Sequence, residues 1–267
     1  MAYLERPGAK VYYEVAGSGP AVVFAHGLGG NHMSWWQQVP AFRDRYTCVT
    51  FAHRGFAPST EEPGGPGALA FADDLAAIIE ELGLQEVRLV AQSMGGWTCL
   101  AYALQHPDRV KALVMCDTTG TLAHPDFPRI WAAQPRGRDQ SLFERGIHPA
   151  AGERMAAEQP ALHHLYWLIN NLASGIDKDA LRRQLGELRT EPVESLEVLQ
   201  MPVLCLAGEE DIVIPPETVR ILAECLPDGR YASVPNAGHS VYFERASEFN
   251  RIVGAFLDEV ESQGSQR

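Results

Sequence analysis

The stretch that most narrows the fold is Val87 to Gly96. An apolar run from Val87 to Ala91 reads as a buried strand. It breaks at Gln92-Ser93-Met94, and a helix-prone stretch then runs from Gly95 to His106, stopped by Pro107. Strand, sharp turn and helix with a serine at the apex form the nucleophile-elbow pattern. Such a turn strains the backbone of Ser93 and lifts its hydroxyl above the sheet edge. It also needs small flanking residues, because the strand before and the helix after nearly touch. Ala91 and Gly95 meet that need. A serine after a strand is also an ordinary helix cap, so the reading depends on what else the chain carries.

The rest of the chain repeats a strand–helix rhythm. Tyr3 to Glu5 and Lys10 to Val15 flank the turn dipeptide Pro7-Gly8 and predict an antiparallel hairpin. Ala21 to Ala25, Tyr46 to Phe51 and Val110 to Cys116 read as further strands, with a helix predicted within Asn31 to Phe42. From Ala68 to Leu82 the apolar positions Phe71, Leu75, Ile78, Ile79 and Leu82 share one helical face, and Gly83 ends it. Alternating strands and helices imply a parallel α/β sheet with right-handed crossovers. The rhythm stops at Thr118. Residues 120–202 are helix-prone, carry no convincing strand, and are too long for a structureless loop. It resumes with strands Val203 to Ala207 and Arg230 to Val234, and helices Glu217 to Leu226 and Glu244 to Glu261. Ser262 to Arg267 reads as a frayed tail. The expected organisation is therefore one α/β core in two parts, 1–119 and 203–267, with a helical cap inserted at 120–202.

At 267 residues, 46% hydrophobic and 21% charged, the chain has the makeup of a soluble globular protein. A formal net charge of −12 disfavours nucleic acid and anionic membrane as partners. Cys48, Cys116 and Cys205 sit in apolar strand-like runs and read as small hydrophobes of a reducing compartment. The first residues lack the apolar core of a signal peptide, and no apolar run reaches membrane-spanning length. The expectation is a cytoplasmic protein with a small-molecule substrate and no cofactor or metal. Oligomeric state is left open.

Ser93, Asp211 and His239 each lie just past the end of a strand of one sheet, where ligand sites of open α/β sheets lie. Their order, Ser…Asp…His, is one of three known for the same geometry. A serine hydroxyl is a poor nucleophile until a base takes its proton. A neutral imidazole can do so, and an ionised carboxylate fixes its tautomer and stabilises the imidazolium. The strand Val22 to Ala25 ends in His26-Gly27-Leu28, so the N–H groups of Leu28 and Met94 can together form an oxyanion hole. Asp117 also ends a strand and rivals Asp211 as the acid. Asp211 is favoured because Gly208-Glu209-Glu210-Asp211-Ile212-Val213-Ile214-Pro215 frames it.

With these motifs the chain resembles the α/β-hydrolase superfamily over nearly its whole length. The matching residues are His26-Gly27-Leu28-Gly29-Gly30, His53-Arg54-Gly55, Ala91-Gln92-Ser93-Met94-Gly95, the Asp211 frame and Asn236-Ala237-Gly238-His239. Among its members the chain is most similar to small bacterial carboxylesterases and enol-lactonases. The resemblance implies the α/β-hydrolase fold, a mostly parallel eight-stranded sheet flanked by helices, with a helical lid. It also implies Leu28 and Met94 as oxyanion donors, and a cofactor-independent serine hydrolase of esters or lactones. Carbon–carbon bond hydrolysis by the same triad is one alternative, and a ligand-sensing protein with negligible turnover is another. The family commonly has Asp and Gly where this chain has Ala52 and Ala57, which bears on the conformation of that loop.

Other residues carry two readings. His26 and His53 read as structural, because His239 is the better base. His163-His164 has no partner at metal-ligand spacing. Trp35, Trp36, Trp131, Tyr166 and Trp167 could line an aromatic pocket or simply pack the cap. With Gly27 and Val213, the residues Trp35, Trp131, Tyr166 and Trp167 are the substrate-contact candidates. Arg129, Arg136, Arg138, Arg145 and Arg154 in the cap could hold a substrate carboxylate or merely be solvated.

Overall fold

A computed structural model describes residues 2–134, 138–173 and 175–264. The strands are β1 (Ala2–Arg6), β2 (Ala9–Ala16), β3 (Ala21–Ala25), β4 (Thr47–Phe51), β5 (Thr60–Glu61), β6 (Val87–Gln92), β7 (Val110–Cys116), β8 (Val203–Gly208) and β9 (Gly229–Val234). They form one sheet in the order β1-β2-β4-β3-β6-β7-β8-β9, with the two-residue β5 paired to β2 outside that path. The β1/β2 hairpin and the β2/β4 pair are antiparallel, and every pair from β4 through β9 is parallel. Strands β3, β6 and β8 are buried at every residue. Helices cover both faces of a parallel sheet, so its central strands read as unbroken apolar runs.

The helices are α1 (Gln38–Phe42), α2 (Phe71–Glu81), α3 (Gly95–Gln105), α4 (Phe127–Ala132), α5 (Arg138–Glu144), α6 (Gly152–Glu158), α7 (Pro160–Asn171), α8 (Lys178–Glu187), α9 (Pro216–Cys225), α10 (Val241–Glu244) and α11 (Ala246–Gly264). Helices α4 to α8 form a helical insert between β7 and β8. Alternation along the strands divides the core in two. Val23, Leu89, Leu113 and Cys205 face the side covered by Leu75 and Ile78 of α2, Leu100 of α3 and Leu222 of α9. Val22, Val90, Val114 and Leu204 face the side covered by Phe249, Val253 and Val260 of α11. Among the described residues no helix is long and apolar enough to cross a membrane.

Two helices differ from expectation. The stretch Asn31 to Phe42 is a 3-10 turn (His32–Trp35) followed by α1. Pro40 is tolerated only in a first helical turn, so one continuous helix cannot run through it. Asn31 caps the turn by accepting from the N–H of Met33 at 2.8 Å. The C-terminal helix likewise divides at Arg245 into α10 and α11. The loop after β4, which carries Ala52 and Ala57, is held from within. Arg54 makes two 2.6 Å hydrogen bonds to Asp74, both side chains being buried. The Ser59 hydroxyl donates to the carbonyl of Ala52 at 2.7 Å and accepts from the N–H of Tyr12 at 2.8 Å.

Candidate active site

The elbow after β6 is as tight as its flanking residues suggest. Ser93 has φ +50°, in the left-handed region. A Cβ on Gly95 would lie 2.2 Å from the carbonyl oxygen of Ala25, and one on Gly96 would lie 2.2 Å from the Thr118 hydroxyl. The helix can approach β3 and the loop after β7 only because both residues are glycine. The N–H of Ser93 is held by the carbonyl of Cys116 at 3.0 Å.

His239, in the loop after β9, reaches this serine. Its Nε2 lies 2.8 Å from Ser93 Oγ, and its Nδ1 lies 2.8 Å from Asp211 Oδ2. The other Asp211 oxygen accepts from the N–H groups of Val213 (2.7 Å) and Ile214 (3.0 Å). An ionised carboxylate can accept all three bonds. That assigns the imidazole proton to Nδ1 and leaves Nε2 to accept from the Ser93 hydroxyl. The imidazole of His239 is buried, which opposes its charging. The charge and hydrogen bond of Asp211, with the nearby charges of Asp117 and Glu244, together outweigh burial and raise the pKa above 6.5.

Asp117 takes a different part. Its Oδ1 accepts from the N–H of Gly208 at 2.9 Å, and its Oδ2 lies 3.2 Å from Cys116 Sγ and 3.4 Å from the N–H of Val241. It makes no hydrogen bond to His239. Full burial, with the nearby charge of Asp211, pushes its carboxyl well above the usual carboxylate range.

The loop of Gly27 to Gly30 faces the elbow. It is closed by a 2.9 Å bond from the N–H of Gly30 to the carbonyl of Gly27. Gly27 cannot carry a side chain, since a Cβ there would lie 2.1 Å from Gln92 Oε1. Among the described residues, the N–H groups of Leu28 and Met94 have no protein acceptor. His26 and His53 stand behind this loop as a buried pair. His26 Nδ1 lies 2.7 Å from the carbonyl of Gly27. His26 Nε2 accepts from the backbone N–H of His53 at 3.0 Å, and His53 Nε2 lies 2.8 Å from Thr98 Oγ1. Burial pushes His26 down to about 3 and also lowers His53, so both are neutral structural rings.

A family model described as alpha/beta hydrolase fold matches residues 20–246 of the chain. The chain belongs to the alpha/beta hydrolase fold family. It is 30% identical to RutD of Caulobacter sp. (strain K31), provisionally named a carbamate hydrolase, over 92% of this chain and 95% of that protein. Among solved structures it is similar to the bromoperoxidase from Bacillus anthracis, with a TM-score of 0.77 and 26% identity, covering 94% and 96% of the two chains. It shares its fold with the enol-lactonase from Burkholderia xenovorans LB400, with a TM-score of 0.78 and 23% identity, covering 96% of this chain and 100% of that one.

The serine opens into a cavity of about 600 Å³. Ser93, His239, Leu28 and Met94 border it, as do Gly27, Tyr166 and Val213 among the substrate-contact candidates. Three other candidates do not. Trp35 is fully buried, its ring 5.1 Å from Phe24 and 4.6 Å from Tyr242, and belongs to the core. Trp167 follows Tyr166 on α7, and the turn of about 100° per residue carries its ring off the cavity wall. It packs against His148, 4.9 Å away, and donates to the carbonyl of Gly146 at 3.2 Å. The Trp131 ring lies 4.2 Å from the guanidinium of Arg189, which does border the cavity.

The cap arginines singled out from the sequence are spent on the surface. Arg129 faces Glu217 at 3.8 Å, Arg145 pairs with Glu153, and Arg154 binds Glu210 at 2.6 Å and Glu158 at 3.1 Å. Arg136 and the side chain of Arg138 lie outside the described residues, as do residues 265–267 of the expected tail. The cavity instead holds Trp97, His148, Lys178 and Arg189, none of them foreseen. Trp97 was within reach of sequence reasoning, since it lies one helical turn after Ser93. Nothing local marks the other three.

Proposed function

We propose that this chain is a serine hydrolase that cleaves a carboxylic ester or lactone through an acyl-enzyme, without a cofactor. The observation that carries the reading is the unbroken hydrogen-bonded chain from Ser93 through His239 to Asp211, at 2.8 Å for both links. In the first step Ser93 Oγ attacks the carbonyl carbon while His239 Nε2 takes the hydroxyl proton. Charge develops on the carbonyl oxygen, and the N–H groups of Leu28 and Met94 are the donors offered to it. The imidazolium is stabilised by Asp211 and returns its proton to the departing alkoxide. Water then repeats the sequence on the acyl-enzyme and releases the acid. A pure sensor would need neither a base bonded to the serine nor an acid bonded to the base, and this chain has both.

Turnover of p-nitrophenyl esters by Ser93→Ala tests the reading. The variant is expected to keep its circular-dichroism spectrum and lose about 10⁶-fold in kcat, as loss of the nucleophile does in another triad. A serine-directed phosphonate should add to Ser93 and nowhere else. Substantial activity in the variant, or labelling at another residue, removes the mechanism.

A further inference from the structure

Two cations border the cavity with no acid to answer them. Arg189 follows α8 and is half-buried. Its guanidinium lies over two indoles, 4.7 Å from the Trp97 ring centroid and 4.2 Å from that of Trp131. One of its N–H groups donates to the Thr119 hydroxyl at 3.0 Å. The Trp97 ring is itself fixed by a 2.8 Å bond from its N–H to the carbonyl of Leu185. Lys178, at the start of α8, donates to Asn170 Oδ1 at 2.8 Å and to the Asn170 carbonyl at 3.3 Å. All these acceptors are neutral.

Among the described residues, neither cation has a carboxylate within 4.0 Å. The buried arginines elsewhere behave otherwise: Arg54 is paired with Asp74, and Arg88 with Glu261 at 2.7 Å. Arg182 also borders the cavity, but Asp179 beside it takes up its charge at 2.5 Å. Acidic groups outnumber Lys and Arg by 34 to 22 in this chain, so partners were available. Burial alone pushes Arg189 down to about 10, and burial with the charge of Arg182 lowers Lys178. A half-desolvated cation without an anion is costly unless a ligand brings one.

We infer that the substrate carries a carboxylate remote from the bond that is cleaved, and that Arg189 receives it, with Lys178 adding to the attraction. The inference rests on the acyl-transfer reading above. The guanidinium lies against two indole rings, and its N–H donors lie in its own plane. A planar fork of donors matches a carboxylate edge. The site is also placed for a bifunctional substrate. Trp97, on which Arg189 rests, belongs to the first turn of the helix that Ser93 precedes. Asn170, which holds Lys178, lies against Gly29 of the facing loop, where a Cβ would come within 2.7 Å of its Oδ1. Both cations thus border the same cavity as the serine. The chain as a whole repels anions with its charge of −12, and this cavity wall is the local exception.

Two measurements test the inference. The first compares kcat/KM for the mono-p-nitrophenyl ester of glutaric acid with that for p-nitrophenyl pentanoate, which lacks the acid. The acid ester should be favoured by roughly tenfold or more, the worth of one charged hydrogen-bonded contact, and Arg189→Gln should bring the ratio toward unity. The second uses Ser93→Ala protein and titration calorimetry with glutarate and with neutral glutaramide. Glutarate should bind, more weakly as salt rises, and glutaramide should not. A ratio near unity in the parent enzyme, or equal binding of glutarate and glutaramide, overturns the inference. If Arg189→Gln does not fold, the glutarate–glutaramide pair still decides. If glutarate binds but neither ester is turned over, the anion site stands and the ester reading falls.

Discussion

Asp211 and Asp117 stand on one edge of the sheet, past the neighbouring strands β8 and β7, and both carboxylates are buried. Asp211 spends one oxygen on the backbone of its own turn and the other on His239. Asp117 spends its oxygens on the loops themselves: the N–H of Gly208, which leads to Asp211, and the N–H of Val241, which follows His239. One acid thus addresses the base and the other addresses the two loops that carry the acid and the base. The contrast shows how little a residue's position at a strand end says about its role. A carboxylate bonded to the imidazole fixes its tautomer and raises its pKa most, while one bonded to the backbone braces the loops and reaches the ring only through space.

Replacing each acid by its neutral isostere exposes that difference most strongly. Asp211→Asn keeps the shape but can favour the wrong imidazole tautomer, and kcat is expected to fall by about 10⁴, as in a related triad. Asp117→Asn should cost less than about tenfold, because burial and Asp211 already favour the neutral form of that side chain. Steady-state kinetics on one ester distinguishes them. A crippled Asp117→Asn beside a mild Asp211→Asn would invert the assignment.

A smaller loss is expected where the two systems touch. Gly208 donates to Asp117, and a Cβ on it would lie 2.0 Å from the carbonyl oxygen of Gly238 and 2.6 Å from that of Ala237. Gly208→Ala must therefore push the segment that leads directly into His239. Displacement of a reacting group by about 1 Å can cost roughly 10² in rate, and overpacking typically costs about 1–3 kcal/mol in stability. Thermal melting and kinetics together should show both effects. A variant of unchanged activity would mean that the His239 loop is not braced through this contact.

The smallest effect is a shift along the pH axis. His239 must be neutral to accept the serine proton, and its pKa is raised above 6.5 because burial, which lowers it, is outweighed by Asp211 together with the charges of Asp117 and Glu244. Activity should therefore fall as pH drops through that raised value. In Asp211→Asn the raising partner is gone while burial remains, so the residual activity should persist to lower pH. Asp117→Asn should move the acid limb in the same direction but by less, since Asp117 raises this imidazole less than Asp211 does. Profiles of kcat/KM against pH for the three proteins check both statements. An unmoved limb in Asp211→Asn would break the link between this carboxylate and the base.

The features legible in the sequence were those written by local rules. The strand at Val87, the small residues around Ser93 and the helical face of Leu75, Ile78 and Ile79 depend on near neighbours, and the α/β-hydrolase fold follows from their order. What escaped depends on residues that meet only in three dimensions. Trp35 and Tyr166 each stand next to another tryptophan in the sequence, yet one is enclosed by Phe24 and Tyr242 while the other borders the cavity. Arg189 has partners at positions 97, 119 and 131, so nothing around it in the chain marks it. The arginines of the insert show the reverse case: Arg129, Arg145 and Arg154 are conspicuous in the sequence because they are charged, and the solvated reading holds for them, since surface carboxylates answer them.

Gln92 draws the site's parts into a single dependency. Its amide nitrogen donates to the carbonyl of His239 at 2.8 Å, and its amide oxygen occupies the space that a side chain at position 27 would need. One residue thus sets two clearances, one toward the base and one toward the oxyanion loop. The residues acceptable at position 27 are then a function of what stands at 92, and a shorter side chain at 92 would free space at 27 only by releasing His239. The two positions share one alphabet, and a substitution history that changed either alone would pass through a broken site.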